Sequence, residues 1–304
     1  ISPVVEDEEL DVDLVCRLKR KNTDWTQANV KNAVGDQLRD NDDYKRMLDD
    51  EGNRCWTLVY HEASKFHMDI LPAVIEEKQL LLLEKSIRNM TQAEVEQLAI
   101  NITDKRRPDY RTETNSGRWM KSNPWGYAAW LKERASLDLY KSFSIREAVE
   151  QLPKYQKEKE PLLKVIQILK RHRDIMFGGD ECKPISIIIT TLAAKAYNRE
   201  TDLIVAIINV LAGMKRFIVT KFSPEHSRNV DWISNPVNEC ENFADRWIIE
   251  PERKDRFYDW LEKAKSVFAY LQTCDITQAY RDFKELLGTR AEDVAVLVIG
   301  LGEL

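Results

Sequence analysis

The sequence has no run of eighteen consecutive apolar residues and no secretion-signal core, which predicts a soluble, cytoplasmic protein without a membrane partner. Cysteine is sparse. Cys16, Cys55, Cys182, Cys240 and Cys274 are scattered, odd in number and free of CxxC spacing. That argues against a disulfide frame or a zinc site and predicts reduced thiols. Neither sign of charge dominates: 46 Lys and Arg against 51 Asp and Glu leave a net charge of −5. A dedicated polyanion binder is disfavoured, and any basic pocket must come from placement. Internal repeats and low-complexity tracts are absent. What remains is an ordinary globular composition over 304 residues, enough for one large domain or two lobes. The chain opens on Ile1-Ser2-Pro3 without methionine, so further residues are expected ahead of Ile1.

What is present is acid in a pattern. In EDEELDVDLVCRL, the segment Leu10–Leu18 alternates as a strand, which puts Asp11 and Asp13 on one face. About fifty residues on, FHMDILPA alternates again, with His67, Asp69 and Leu71 on one side and Phe66, Met68 and Ile70 on the other. Two carboxylates on one strand and a third on a neighbour can hold one or two Mg²⁺ (or Mn²⁺) ions through oxygen. Such a pair of ions clamps the attacking and leaving oxygens of a phosphoryl transfer. A solvated strand face is the plainer reading of Asp11 and Asp13 alone, and a DxD element also serves glycosyltransferases. Asp69 favours the metal, because an aspartate between Met68 and Ile70 is costly in a sheet without a partner.

The predicted fold class is α+β: a mixed sheet plus helices, followed by a helical C-terminal lobe. Strand signals fall at Leu10–Leu18, Cys55–Tyr60 and Phe66–Ala73, with a helical stretch at Thr26–Asp49. Thr103–Asn123 reads as a loop. Ser144-Ile-Arg-Glu147 spells a capping box, Pro161 opens a helix to Phe177, and Thr201–Phe217 and Arg256–Gln272 follow as helices. The lobes are divided at about residue 138, giving 1–138 and 139–304.

Three helical-lobe segments carry candidate contacts. Gln167, Lys170, Arg171 and Asp174 share one helix face, which could aim Lys170 at a polyphosphate with Arg171 or Arg173 in support. His172-Arg173-Asp174 matches a protein-kinase triplet, but Gly179 stands where that motif needs Asn, so a kinase is rejected. Pro184 is expected at the first helical position of the next helix, with Ser186 in its first turn, well placed for phosphate or simply as a cap. The segment Ser234–Trp247 carries Asn235, Asn238 and Asn242, which suit either loop chemistry or the reading of base edges.

Together, Asp11-Val-Asp-Leu-Val, Phe66-His-Met-Asp-Ile-Leu-Pro, Ser122-Asn-Pro-Trp-Gly-Tyr, Gln167-Ile-Leu-Lys-Arg-His-Arg-Asp, Pro184-Ile-Ser-Ile-Ile-Ile-Thr-Thr-Leu-Ala and Asn235-Pro-Val-Asn resemble the bacterial nucleotidyltransferases that make cyclic oligonucleotides. These CD-NTases are relatives of cyclic GMP-AMP synthase and oligoadenylate synthase in the polymerase-β-like superfamily. The resemblance implies two Mg²⁺ ions on Asp11, Asp13 and Asp69, and triphosphate contacts from Lys170 and Ser186. Asn235–Asn242 looks like the Asp-Pro…Asn motif of oligoadenylate synthases, with Asn235 in place of the aspartate. The implied fold is two-lobed, with nucleotides in the cleft. One departure stands out: the family's Gly-Ser motif should precede Asp11, and no Gly-Ser occurs in this sequence. It is expected upstream of Ile1, and activity is expected to need it.

The resemblance further implies ATP, GTP or other nucleoside triphosphates as substrates. It also implies an antiphage role with a downstream effector that senses the product, and possible control by a regulatory protein partner. A double-stranded DNA activator is not expected, given the acidic balance and the lack of a Cys/His cluster. A transferase acting on tRNA or protein, and a non-catalytic nucleotide-binding protein, remain the alternatives.

Overall fold

The computed structural model describes residues 10–60, 66–75, 82, 85, 89–138, 144–145, 159–223 and 226–273. Two compact units divide the chain: Ile1–Gly126 with Ser144–Glu147, and Tyr127–Phe143 with Ala148–Leu304. The second half of the Ser144–Glu147 capping box lies outside the described residues.

The first unit is built on a five-stranded mixed sheet. Strand β1 (Leu10–Leu18) runs parallel to β3 (Phe66–Val74), and β2 (Trp56–Tyr60) lies antiparallel on β3. Short strands β4 (Ile100–Ile102) and β5 (Met120–Ser122) extend the sheet antiparallel. Helix α1 (Gln27–Arg39) covers one face, where Val34 and Leu38 pack on Trp56, Leu58 and Ile70. Gly35 permits the close approach, since a Cβ there would stand 2.4 Å from the Trp56 ring. The helical stretch predicted as one piece is broken after Arg39. Asn41 stops it by capping α2 (Asp42–Met47), accepting from the backbone of Asp43 at 3.0 Å and Tyr44 at 3.1 Å. The stretch Thr103–Asn123, predicted as a loop throughout, is irregular up to Trp119 apart from a 3-10 turn at Ser116–Arg118, but Met120–Ser122 form β5 because they pair with β4.

A polar clasp anchors the start of β2. Lys31 of α1 is wholly buried, bonds to the Gly52 carbonyl and pairs with Glu51 at 3.2 Å. The Trp56 indole donates to the Lys31 carbonyl at 2.9 Å. Lys105 closes the group on Glu51 at 2.8 Å. A buried lysine demands such partners.

The second unit is mainly helical. After α3 (Gln92–Gln97) in the first unit, α4 (Pro124–Ala135) carries the chain across the division. Helices α5 (Pro161–Phe177), α6 (Ser186–Ala196), α7 (Leu203–Gly213) and α8 (Pro251–Thr273) then enclose one apolar core. Leu162, Leu169, Leu192, Ile207, Phe257, Trp260 and Phe268 fill it. Two small hairpins, β6 (Val219–Ser223) with β7 (Arg228–Trp232) and β8 (Ser234–Asn235) with β9 (Asn238–Asn242), precede α8. Pro184 lies two residues ahead of α6, not at its first position, because Arg173 Nη1 holds its carbonyl at 2.8 Å and Ile185 stays extended as the N-cap. No helix among the described residues is long and apolar enough to cross a membrane.

Candidate active site

Strand register decides which acids meet. Asp13 is the Cα partner of Asp69 across the parallel pair, and Thr57 is the partner of Asp69 across the antiparallel pair. Residues directly opposite share a face of the sheet. This face lies away from α1, because the alternate residues Trp56, Leu58 and Ile70 pack on that helix. Thr57 Oγ1 donates to Asp69 Oδ1 at 2.5 Å. Cys55 joins the group through its thiol. Burial, then the negative charge of Asp69, push that thiol above its ordinary range. Asp11 pairs by backbone with His67, and its side chain lies outside the described residues. Among the described residues, which exclude that side chain, no three acid, histidine or cysteine side chains gather as a metal site.

Like charges directly opposite in a sheet are destabilising, and neighbouring strands stand only about 4.8 Å apart. Asp13 and Asp69 therefore impose a local electrostatic load. The Thr57 hydroxyl offsets part of it.

In the second unit, Lys170 and Arg171 sit half-buried on α5. Arg173 is different. Only 6% exposed, it turns inward, giving Nη1 to Pro184 O at 2.8 Å and to Ser186 Oγ at 3.1 Å, and Nε to Asp174 Oδ1 at 2.9 Å. Ser186 opens α6 with its oxygen already accepting, so its own proton is directed to another acceptor. Arg173 thus supports Ser186.

Asn235 and Asn242 are woven into their own hairpin. Asn235 Nδ2 donates to Glu241 at 2.8 Å and its Oδ1 accepts from Val237 N at 3.0 Å. Asn242 Oδ1 accepts from Ile233 N and Ala244 N, both at 2.9 Å, and its Nδ2 donates to Asp231 O at 2.9 Å. Both amides hold the backbone of this segment, as Asn commonly does in turns.

His172, beside Arg171 on α5, is buried with Nδ1 unpartnered and its ring 6.0 Å from that of Phe268. Burial, helped by Lys263, pushes its pKa down to about 4. Its ordinary value is near 6.5. A lowered folded-state pKa means that the unfolded chain takes up the proton first. Stability is then complete above pH 6.5 and is lost as pH falls towards 4. Between pH 7 and pH 4.5 this residue should withdraw about 2–3 kcal/mol. Urea denaturation of His172→Gln should show a shallower acid slope than the parent; parallel slopes would refute the assignment.

No protein-family model matches the chain. A c-di-GMP synthase from Roseivirga ehrenbergii is 26% identical over 297 residues, covering 96% of this chain and 66% of that protein. The chain thus spans just under two thirds of that relative's length. The CD-NTase CdnG of Bradyrhizobium diazoefficiens, solved with GTP, superposes with a TM-score of 0.62 at 17% identity, over 97% of this chain and 80% of that one. The Vibrio cholerae cyclic AMP-GMP synthase DncV, solved with nonhydrolyzable GTP, gives 0.59 at 16% identity, over 96% and 66%. The chain is thus similar to bacterial CD-NTases in sequence and in fold. Its mixed sheet and helices have the polymerase-β-like nucleotidyltransferase fold of CdnG and DncV.

The donors gathered at Asp13 and Asp69 are carboxylate oxygens, with Thr57 holding one of them. That donor set fits a hard divalent cation such as Mg²⁺. Sequence reasoning missed Thr57 and Cys55 as neighbours of Asp69, and it placed Arg173 beside Lys170 without foreseeing its bond to Ser186. Thr57 could have been found by aligning the alternation of Cys55–Tyr60 with that of Phe66–Ala73.

Proposed function

We propose that this chain forms the nucleotide-handling part of a Mg²⁺-dependent nucleotidyltransferase. It joins nucleoside triphosphates into a cyclic di- or trinucleotide and releases pyrophosphate. The observation that carries the proposal is Asp13 directly opposite Asp69, with Thr57 bonded to Asp69, on a CD-NTase fold. The names of its relatives support it: a c-di-GMP synthase and a cyclic AMP-GMP synthase.

Asp11, Asp13 and Asp69 would hold two Mg²⁺ ions, which lower the pKa of the attacking ribose hydroxyl and neutralise the departing pyrophosphate. The chain's own residues do the rest. Asp69 accepts the hydroxyl proton at Oδ2, the oxygen that Thr57 does not hold. Lys170 and Arg171 offer positive charge to the triphosphate, and Ser186 offers a hydroxyl donor set by Arg173. Asn235 and Asn242 would meet the base with the amide hydrogens that their hairpin bonds leave over. In this reading the product is a second messenger of cytoplasmic antiphage defence, sensed by a downstream effector, with a regulatory protein partner as the natural control.

Product analysis tests the proposal. The protein with its complete N-terminus, incubated with all four NTPs and Mg²⁺, should yield a cyclic di- or trinucleotide by mass spectrometry. An Asp11→Asn/Asp13→Asn variant should yield none. Product that appears only when tRNA or a protein acceptor is added would replace this reading with a transferase onto that acceptor.

A further inference from the structure

We infer that Thr57 is a positioning residue for Asp69, holding its carboxylate in the orientation that binds the divalent cation. The inference rests on the reading of Asp69 as a metal ligand and adds the residue that makes the ligand rigid. Threonine is common in strands for reasons of shape alone. Three observations set this one apart.

First, the register is unambiguous: Asp69 has Thr57 opposite it on one side and Asp13 on the other. The one hydroxyl in that row is given to the central acid. Second, its bond to Asp69 Oδ1, at 2.5 Å, has the length of a hydroxyl on a charged acceptor. An aspartate's terminal torsion is broad and rotates easily when nothing holds it. Threonine is stiff about χ1, so a bond from it fixes the carboxylate more firmly than one from a mobile side chain. Third, Thr57 is itself anchored. The residue before it, Trp56, is 2% exposed, packed against Gly35 and bonded to the Lys31 carbonyl. The loop leading into β2 is tied to α1 through Lys31, Glu51 and Gly52. A continuous path of contacts therefore runs from the buried Lys31 and Trp56 through β2 to the part-buried Asp69 carboxylate. Partners of this kind orient metal-binding carboxylates, and losing one typically costs about 10- to 100-fold in metal affinity or activity.

Mn²⁺ alone is the probe, titrated into the protein without nucleotide, with free ion read by electron paramagnetic resonance. Thr57→Val keeps the branched shape and removes the hydroxyl, and it should weaken Mn²⁺ binding by about tenfold or more. Thr57→Ala must do the same, which guards against a local misfit of the valine. Thr57→Ser keeps the donor and should stay within about threefold of the parent. All three should melt close to the parent. If Thr57→Val and Thr57→Ala bind Mn²⁺ like the parent while Asp69→Asn does not, the hydrogen bond is only structural and the inference is overturned. If Asp69→Asn also binds like the parent, or the parent itself binds no Mn²⁺, the reading of Asp69 as a ligand fails and takes the inference with it.

Discussion

Replacing Asp69 by asparagine is expected to cut cyclic-product formation by at least about 1,000-fold while leaving the protein folded. The size follows from what a metal-bound phosphoryl transfer loses with a ligand, several kcal/mol of charge stabilisation in the transition state. At about 1.4 kcal/mol per factor of ten, that is three or more orders of magnitude. The fold should survive for a reason visible in the sheet. An asparagine carbonyl can still accept from Thr57, as Asp69 Oδ1 does at 2.5 Å. The substitution also removes one of two like charges that face each other across β1 and β3, a contact that costs stability. The melting temperature of Asp69→Asn should therefore equal or exceed that of the parent. Product formation within tenfold of the parent would remove Asp69 from the chemistry. A collapse in melting temperature would show that its charge is structural.

Replacing Trp260 by alanine is expected to cost about 3–5 kcal/mol of stability, the range for deleting a fully buried large aromatic side chain. Trp260 is 0% exposed in α8, with its ring centroid 5.8 Å from that of Phe257, inside the core that also receives α5, α6 and α7. The cavity cannot close easily, because four helices line it and each is fixed by other contacts. Trp260→Phe should be much milder, at about 1–2 kcal/mol, on the scale of a change in core shape. The indole nitrogen is buried without a hydrogen-bond partner, so phenylalanine breaks no bond there. Urea denaturation measures both. The same core fixes α5 and α6, the helices that carry Lys170, Arg171 and Ser186. Equal losses for the two variants would mean that the ring's size is not what the core uses.

Much of this arrangement was legible in the chain itself. Alternation with a period of two assigned Asp13 and Asp69 to definite faces of their strands, because a strand's side chains must point alternately to either side. Helices beginning near Pro161 and Thr201 were readable from apolar spacing and capping residues, since both signals are local. The break between Arg39 and Asp42 was also local, written in Asn41, yet it was passed over because the apolar stripe runs across it.

Other features depended on contacts between residues far apart. That Thr57 meets Asp69 follows from strand pairing, and nothing in either segment alone states which residue will stand opposite which. Arg173 and Arg171 are indistinguishable as letters. Only the packing of α5 against the turn at Pro184 buried one of them and committed it to Ser186. Asn235 and Asn242 suit base contacts or turns as letters, and only the folded hairpin shows which backbone N–H groups their oxygens accept from. The sequence by itself thus determined the residue types and the faces they occupy, because these follow from local periodicity. Tertiary structure alone decided which groups hold one another, because a hydrogen bond between distant residues exists only once the backbone has brought its donor and acceptor together.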